Sequence, residues 1–259
     1  MGPFNVFARF ARFSPHTRQS SYPITQLNPS NSVTTRRPIY SIYPKWSLTR
    51  TISTAAYSNI RDDLAVMPTD QWGWVIYRCS YADDSTWAQF RARVEADSRE
   101  SFAHSDTPEI ARDLDLIWVE DRASLDGAST ASLRKRYRAW TADYVVRQRG
   151  DYGPSNCFIK IDDEVLQSLD GYLKKCWSTE AFVKIVDADW ESHAALTAKG
   201  QEAQEQDICE PIDGCDEYEV GWMCITPCMI NSEFYDALDG DHMAWEDMFY
   251  RRPPVIVSW

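Results

Sequence analysis

Five short runs rich in β-branched and aromatic residues punctuate this chain, and the segments between them carry helical periodicity. The runs are WGWVIYRCSY (72–81), DLIWVEDR (115–122), CFIKIDD (157–163), AFVKIVDADW (181–190) and VGWMCITPCMI (220–230). A bilayer span needs about 20 apolar residues, and none of the runs is that long, so each reads as a strand. After the first, ADD (82–84) supplies an Asp cap, and Trp87, Phe90 and Val94 fall at i, i+3, i+7. A longer helix, about 130–149, repeats Leu133, Tyr137, Trp140 and Tyr144 along one stripe. A third helix, about 163–175, starts behind Asp162 or Asp163, and Asn231 and Ser232 cap a fourth over 232–238. Residues 99–112, which include Pro108, read as loop, and GDYGP (150–154) ends the long helix.

Strand–helix–strand units separated by a long helix predict an α+β fold. The arrangement expected is a ferredoxin-like sandwich of two βαβ units with the long helix inserted, plus an extra C-terminal strand and helix. A three-layer α/β sheet is the alternative. The residues from 61 to 259 are enough for one hydrophobic core, and 191–218 reads as a polar, acid-rich, flexible segment within that domain.

Charge divides the chain sharply. Residues 1–60 hold seven basic side chains and no acid, which leaves 20 basic against 39 acidic residues in 61–259, a net charge of −19. FNVFARFARF (4–13) spaces Phe4, Phe7, Phe10 and Phe13 three apart beside Arg9 and Arg12, and Ser, Thr and further Arg follow. An amphipathic, Arg-rich, acid-free start is the pattern of an organellar transit peptide. Arg50-Thr51-Ile52-Ser53-Thr54 resembles mitochondrial presequence cleavage sites, although Ile52 replaces the usual aromatic or Leu. The expectation is a mitochondrial protein. The alternative is a disordered basic tail on a cytoplasmic one.

The acidic body opposes generic nucleic-acid binding and anionic membrane surfaces, since both repel negative charge. The ten glycines form no G-x-G, and neither G-x-S-x-G, H-E-x-x-H nor C-x-x-C occurs. No cofactor is therefore predicted. Seven cysteines, an odd number, point to mostly free thiols. Cys209, Cys215, Cys224 and Cys228 lack the tight pairing of a zinc site and read as small apolar groups.

Two weak constellations could serve an unfamiliar enzyme. Asp187 and Asp189 close the fourth strand with His193 shortly beyond, and Asp241 and His242 share a turn at Gly240. Carboxylates can hold a divalent cation, and histidine titrates near neutrality. A solvated strand end followed by a helix cap, and an ordinary turn, are the simpler readings of the two. The stronger feature is the long helix, whose Arg134, Lys135, Arg136, Arg138, Arg147 and Arg149 form a basic patch on an acidic body. Arg134, Lys135 and Arg138 are the candidate contacts of a non-catalytic binding module, with an acidic protein or a small anion as partner. The competing reading pairs the patch internally with the acids of 202–219.

WGWVIYRCSYADDSTWAQF, LDGASTASLRKRYRAW, VGWMCITPCMINSEFYDAL and FYRRPP together resemble a group of uncharacterised fungal proteins. In that group a Y-R-C-S/T-Y strand precedes D-D-x-x-W, an L-D-G-A turn precedes an R-x-R-Y/F-x-x-W helix, and R-R-P-P ends the chain. The likeness spans most of 70–255. It implies one recurring domain and assigns no catalytic residue.

Overall fold

The computed structural model describes residues 60, 72–103, 110, 113–148, 156–174, 180–200, 208–239 and 244–258. The acid-free segment 1–59 and the pair Asp241 and His242 lie outside the described residues.

The apolar runs become strands. β1 (Val75–Arg78) is followed by helix α1 (Asp84–Ala103) and β2 (Ile117–Val119). Then come α2 (Arg122–Leu125), α3 (Thr130–Gln148), β3 (Cys157–Ile161), α4 (Asp163–Ser168), α5 (Asp170–Lys174) and β4 (Val183–Asp187). After α6 (His193–Ala198), a separate hairpin of β5 (Ile208–Ile212) and β6 (Cys215–Glu217) precedes β7 (Trp222–Ile225), α7 (Ser232–Asp239), a π-helical turn (Ala244–Phe249) and β8 (Ile256–Val257).

Six strands form one mixed sheet in the order β2-β1-β3-β4-β7-β8. β1 lies parallel to both β2 and β3, β4 is antiparallel to β3 and β7, and β8 is parallel to β7. Growth of the sheet therefore reverses at β1: α1 returns the chain to one side, and α3 carries it back to the other.

Side chains alternate across the strands, and both faces are covered. Trp74, Ile76, Ile159, Ile161, Ile185 and Met223 face Trp87, Phe90 and Val94 of α1, Val165 and Leu166 of α4, and Phe234 and Tyr235 of α7. Val75, Tyr77, Phe158, Val186 and Trp222 face Leu125 of α2 and Leu133 and Tyr137 of α3. Phe158 meets Tyr77 and Tyr137 at ring centroid separations of 5.2 and 5.1 Å. Burying each such side chain contributes roughly 1.5–3 kcal/mol. The α1 stripe read from spacing is buried, as are Leu133 and Tyr137 of the long-helix stripe. Trp72 and Trp74, two apart, are buried together on one face. Trp140 is half-buried beside Tyr137, and the side chain of Tyr144 is not among those described.

The α+β class stands. The ferredoxin-like expectation, with helices on one face of an antiparallel sheet, is not what the described residues form. The physical reason is α3: its Leu133 and Tyr137 cover the sheet face opposite α1 instead of extending a one-sided layer. Helices thus cover both faces of the mixed sheet.

Local chemistry sets the helix starts. The Asp83 carboxylate accepts from the Ser85 and Thr86 N–H groups, each at 2.9 Å, and these bonds hold it below the usual carboxylate range. Asp162 accepts from the Val165 N–H, and Asn231 from the Phe234 N–H at 2.8 Å. These are N-cap bonds to otherwise orphaned donors. α1 runs through Ala103, past the point where the sequence suggested a loop. Segment 191–218, read as polar and flexible, holds α6 and the β5–β6 hairpin in its described part; 201–207 lie outside it.

Candidate functional site

The carboxyl ends of β1, β2 and β3 meet where the sheet reverses, the place where open α/β sheets bind ligands. Here the side chains are engaged with one another. The Arg78 guanidinium lies 4.2 Å from the Tyr81 ring and 5.1 Å from the Trp87 ring. It ion-pairs with Asp84 and, at 3.3 Å, with Glu120, and its Nε donates to the Ser80 carbonyl. Glu120 also accepts from Trp87 Nε1 at 3.0 Å and from Arg91 at 2.8 Å. The buried Ser80 hydroxyl donates to Asp163. This network ties the start of α1 to the three parallel strands.

The sequence-named carboxylates lie beside another brace. Burial pushes Asp187 above its ordinary value, opposed by the Asp189 N–H that its Oδ1 accepts at 2.8 Å. His193 starts α6 and donates its backbone N–H to Glu217 Oε1 at 2.8 Å. Among the described residues, these bonds are donated by backbone N–H groups, and none joins the His193 imidazole to Asp187 or Asp189. Nor are three His, Cys, Asp or Glu side chains grouped there as metal ligands would be.

The three candidate cations of α3 separate in the structure. Arg134 is buried, 8% exposed, and turned inward. Its Nε donates to the Asp187 carbonyl at 2.8 Å, and its Nη2 donates to the Val220 and Gly221 carbonyls at 3.2 and 2.7 Å. The guanidinium stacks 4.7 Å from the Trp190 ring. As a surface contact Arg134 is therefore corrected: burial and three carbonyl acceptors make it an internal strut. Lys135 and Arg138 are exposed. Arg138 approaches Glu191 at 4.0 Å and Arg136 approaches Asp121 at 3.9 Å, and neither acid belongs to 202–219.

A different surface emerges at the other end of the chain. Among the described residues, the exposed large apolar side chains are Ile208, Tyr218, Met248 and Val255. Hydrogen bonds from Arg252 join the two stretches that carry them. Its guanidinium donates to the carbonyls of Glu210, Glu217 and Tyr218, clamping the hairpin to the C-terminal segment. Ile208 pairs with Glu217 across the hairpin, and Val255 donates its N–H to the Arg252 carbonyl. The Tyr250 hydroxyl donates to the Tyr218 carbonyl at 3.0 Å, and their rings lie 5.7 Å apart. Met248 precedes Tyr250 by two residues. Glu210, Asp213, Asp216 and Glu246 are exposed on the same two stretches.

The sequence carried a signal for this hairpin. Asp213-Gly214 is the dipeptide of a two-residue hairpin turn with positive φ at both central positions. Asp213 has φ 52° and Gly214 φ 82°. The clamp has no comparable local signature, because Arg252 acts on residues 34 to 42 positions away.

Compared with known protein families, with curated proteins and with solved structures, the chain matches none of them.

Proposed function

We propose that this protein is a non-catalytic interaction module whose contact surface is centred on the Arg252 clamp. One observation carries the reading: the exposed large apolar residues among those described all lie on the two stretches of chain that Arg252 clamps together. Leaving apolar surface in water is unfavourable, and gathered apolar exposure marks a contact site. The hairpin presenting it is a two-stranded sheet of its own, held by backbone acceptors that a single arginine gathers.

A second reading places the contact on α3, where exposed Lys135 and Arg138 would meet an acidic protein or a small anion. The exposure of Lys135, which has no ion pair among the described residues, favours it. A photo-cross-linking residue at Ile208 or Val255 of the full chain should join it to one and the same partner in cells that make it, while one at Lys135 should not. Cross-linking from Lys135 alone would move the contact to α3. No cross-link from any of the three positions would overturn the interaction reading altogether.

A further inference from the structure

Resting on that interaction reading, we infer that the surface around Arg252 receives a partner segment that is apolar and flanked by Lys or Arg. The argument is charge complementarity. Residues 208–219 carry Glu210, Asp213, Asp216, Glu217 and Glu219 and no basic residue. The adjoining stretch 244–255 adds Glu246 and Asp247, with Arg251 and Arg252 as its cations. Arg252 donates to three carbonyls and the exposed Arg251 donates through Nη1 to the Tyr250 carbonyl at 2.7 Å; both keep their charge, against seven acids on the two stretches. Glu217 accepts from the His193 N–H and Glu219 from Trp245 Nε1, whereas Glu210, Asp213, Asp216 and Glu246 face solvent.

Four exposed carboxylates thus lie on the same two stretches as the exposed Ile208, Tyr218, Met248 and Val255. An apolar segment fits the side chains, and flanking cations fit the rim. Charges on the rim of an interface steer association and select the partner, while the apolar centre supplies affinity. A second copy of this chain would bring like charge to the same rim.

The test uses two synthetic amphipathic peptides with identical Leu and Phe positions, one bearing Lys at every polar position and the other Glu. Each is titrated into the isotopically labelled full chain, and backbone amide shifts are followed. The Lys peptide should shift amides within 208–218 and 248–258 and bind at least tenfold tighter than the Glu peptide. Ile208→Ser with Val255→Ser should weaken the Lys peptide about tenfold. Glu210→Lys with Asp216→Lys should erase most of the difference between the peptides. Asp213 is spared because its positive φ belongs to the turn. Shifts scattered over acidic surface away from the hairpin would overturn the site. Equal affinity for both peptides would overturn the partner chemistry, while cross-links from Ile208 would still uphold the interaction reading. Shifts of the same amides on concentrating the protein alone would identify a second copy as the occupant and overturn the basic segment.

Discussion

At the residue scale, a side chain's identity says little until its surroundings are known. Arg134 and Lys135 are neighbours in a basic run, yet one is a buried strut and the other a solvated cation. Arg134→Ala should therefore destabilise the protein by about 3 kcal/mol in urea unfolding, since charge-assisted bonds to buried carbonyls are lost together with the stack on Trp190. Lys135→Ala should change stability by less than about 0.5 kcal/mol. Gly221 explains why the strut fits. Its φ is 69°, and a Cβ there would lie 2.3 Å from Trp190 Cγ and 2.4 Å from Arg134 Nη2. A second residue-scale expectation concerns Glu219, which burial raises above its ordinary value of 4.5, with Glu246 adding to the shift and the Trp245 bond opposing it. A carboxyl whose folded value is raised binds its proton more tightly folded than unfolded. Its contribution to stability is fully present below the unfolded value and is lost as pH rises through the folded one. Glu219→Gln keeps an acceptor for Trp245 and removes that loss. The variant should gain stability relative to the parent as pH rises above 4.5, measured by urea unfolding across that range. An unchanged difference at every pH would show that Glu219 does not titrate in that window.

At the element scale, helices and core strands were readable because their signals are local. Trp87, Phe90 and Val94 recur at helical spacing, and that stripe is what docks α1 on the sheet. Asp83, Asp162 and Asn231 cap the helices they precede by bonds within a few residues. The hairpin is different. Its strands hold Pro211 and several acids and show little apolar alternation, so a polar, flexible segment was the natural reading even with Asp213-Gly214 at the turn. Its position depends on Arg252, which supplies donors that the hairpin's own residues cannot. Arg252→Ala should speed amide hydrogen exchange within Ile208–Glu217 by more than tenfold, because the hairpin then opens without global unfolding. Protection of Ile76 and Ile185, in central strands, should stay the same. Loss of protection in both regions together would show that the clamp belongs to the global core.

At the scale of the whole molecule, charge and layering set what the protein can meet. The body carries a net charge of −19, and its described helices leave neither sheet face bare. None of the described helices is long and apolar enough to cross a membrane. Burial pushes Cys79 and Cys224 up to about 12, so both remain protonated near neutral pH. The Arg252 surface brings exposed apolar groups and acids together on this body, which is why the partner inferred for it is basic as well as apolar. Periodicity and contacts a few residues long record the mixed class, the main strands, the helices capped by Asp83, Asp162 and Asn231, and the α1 stripe. Strand order, the second helix-covered face, the inward turn of Arg134 and the joining of the hairpin to the C-terminal stretch by Arg252 arise only in the tertiary structure. Those features join residues distant in the chain, through carbonyls whose sequence identity is irrelevant to the bond, and no local pattern records which distant backbone a guanidinium will reach.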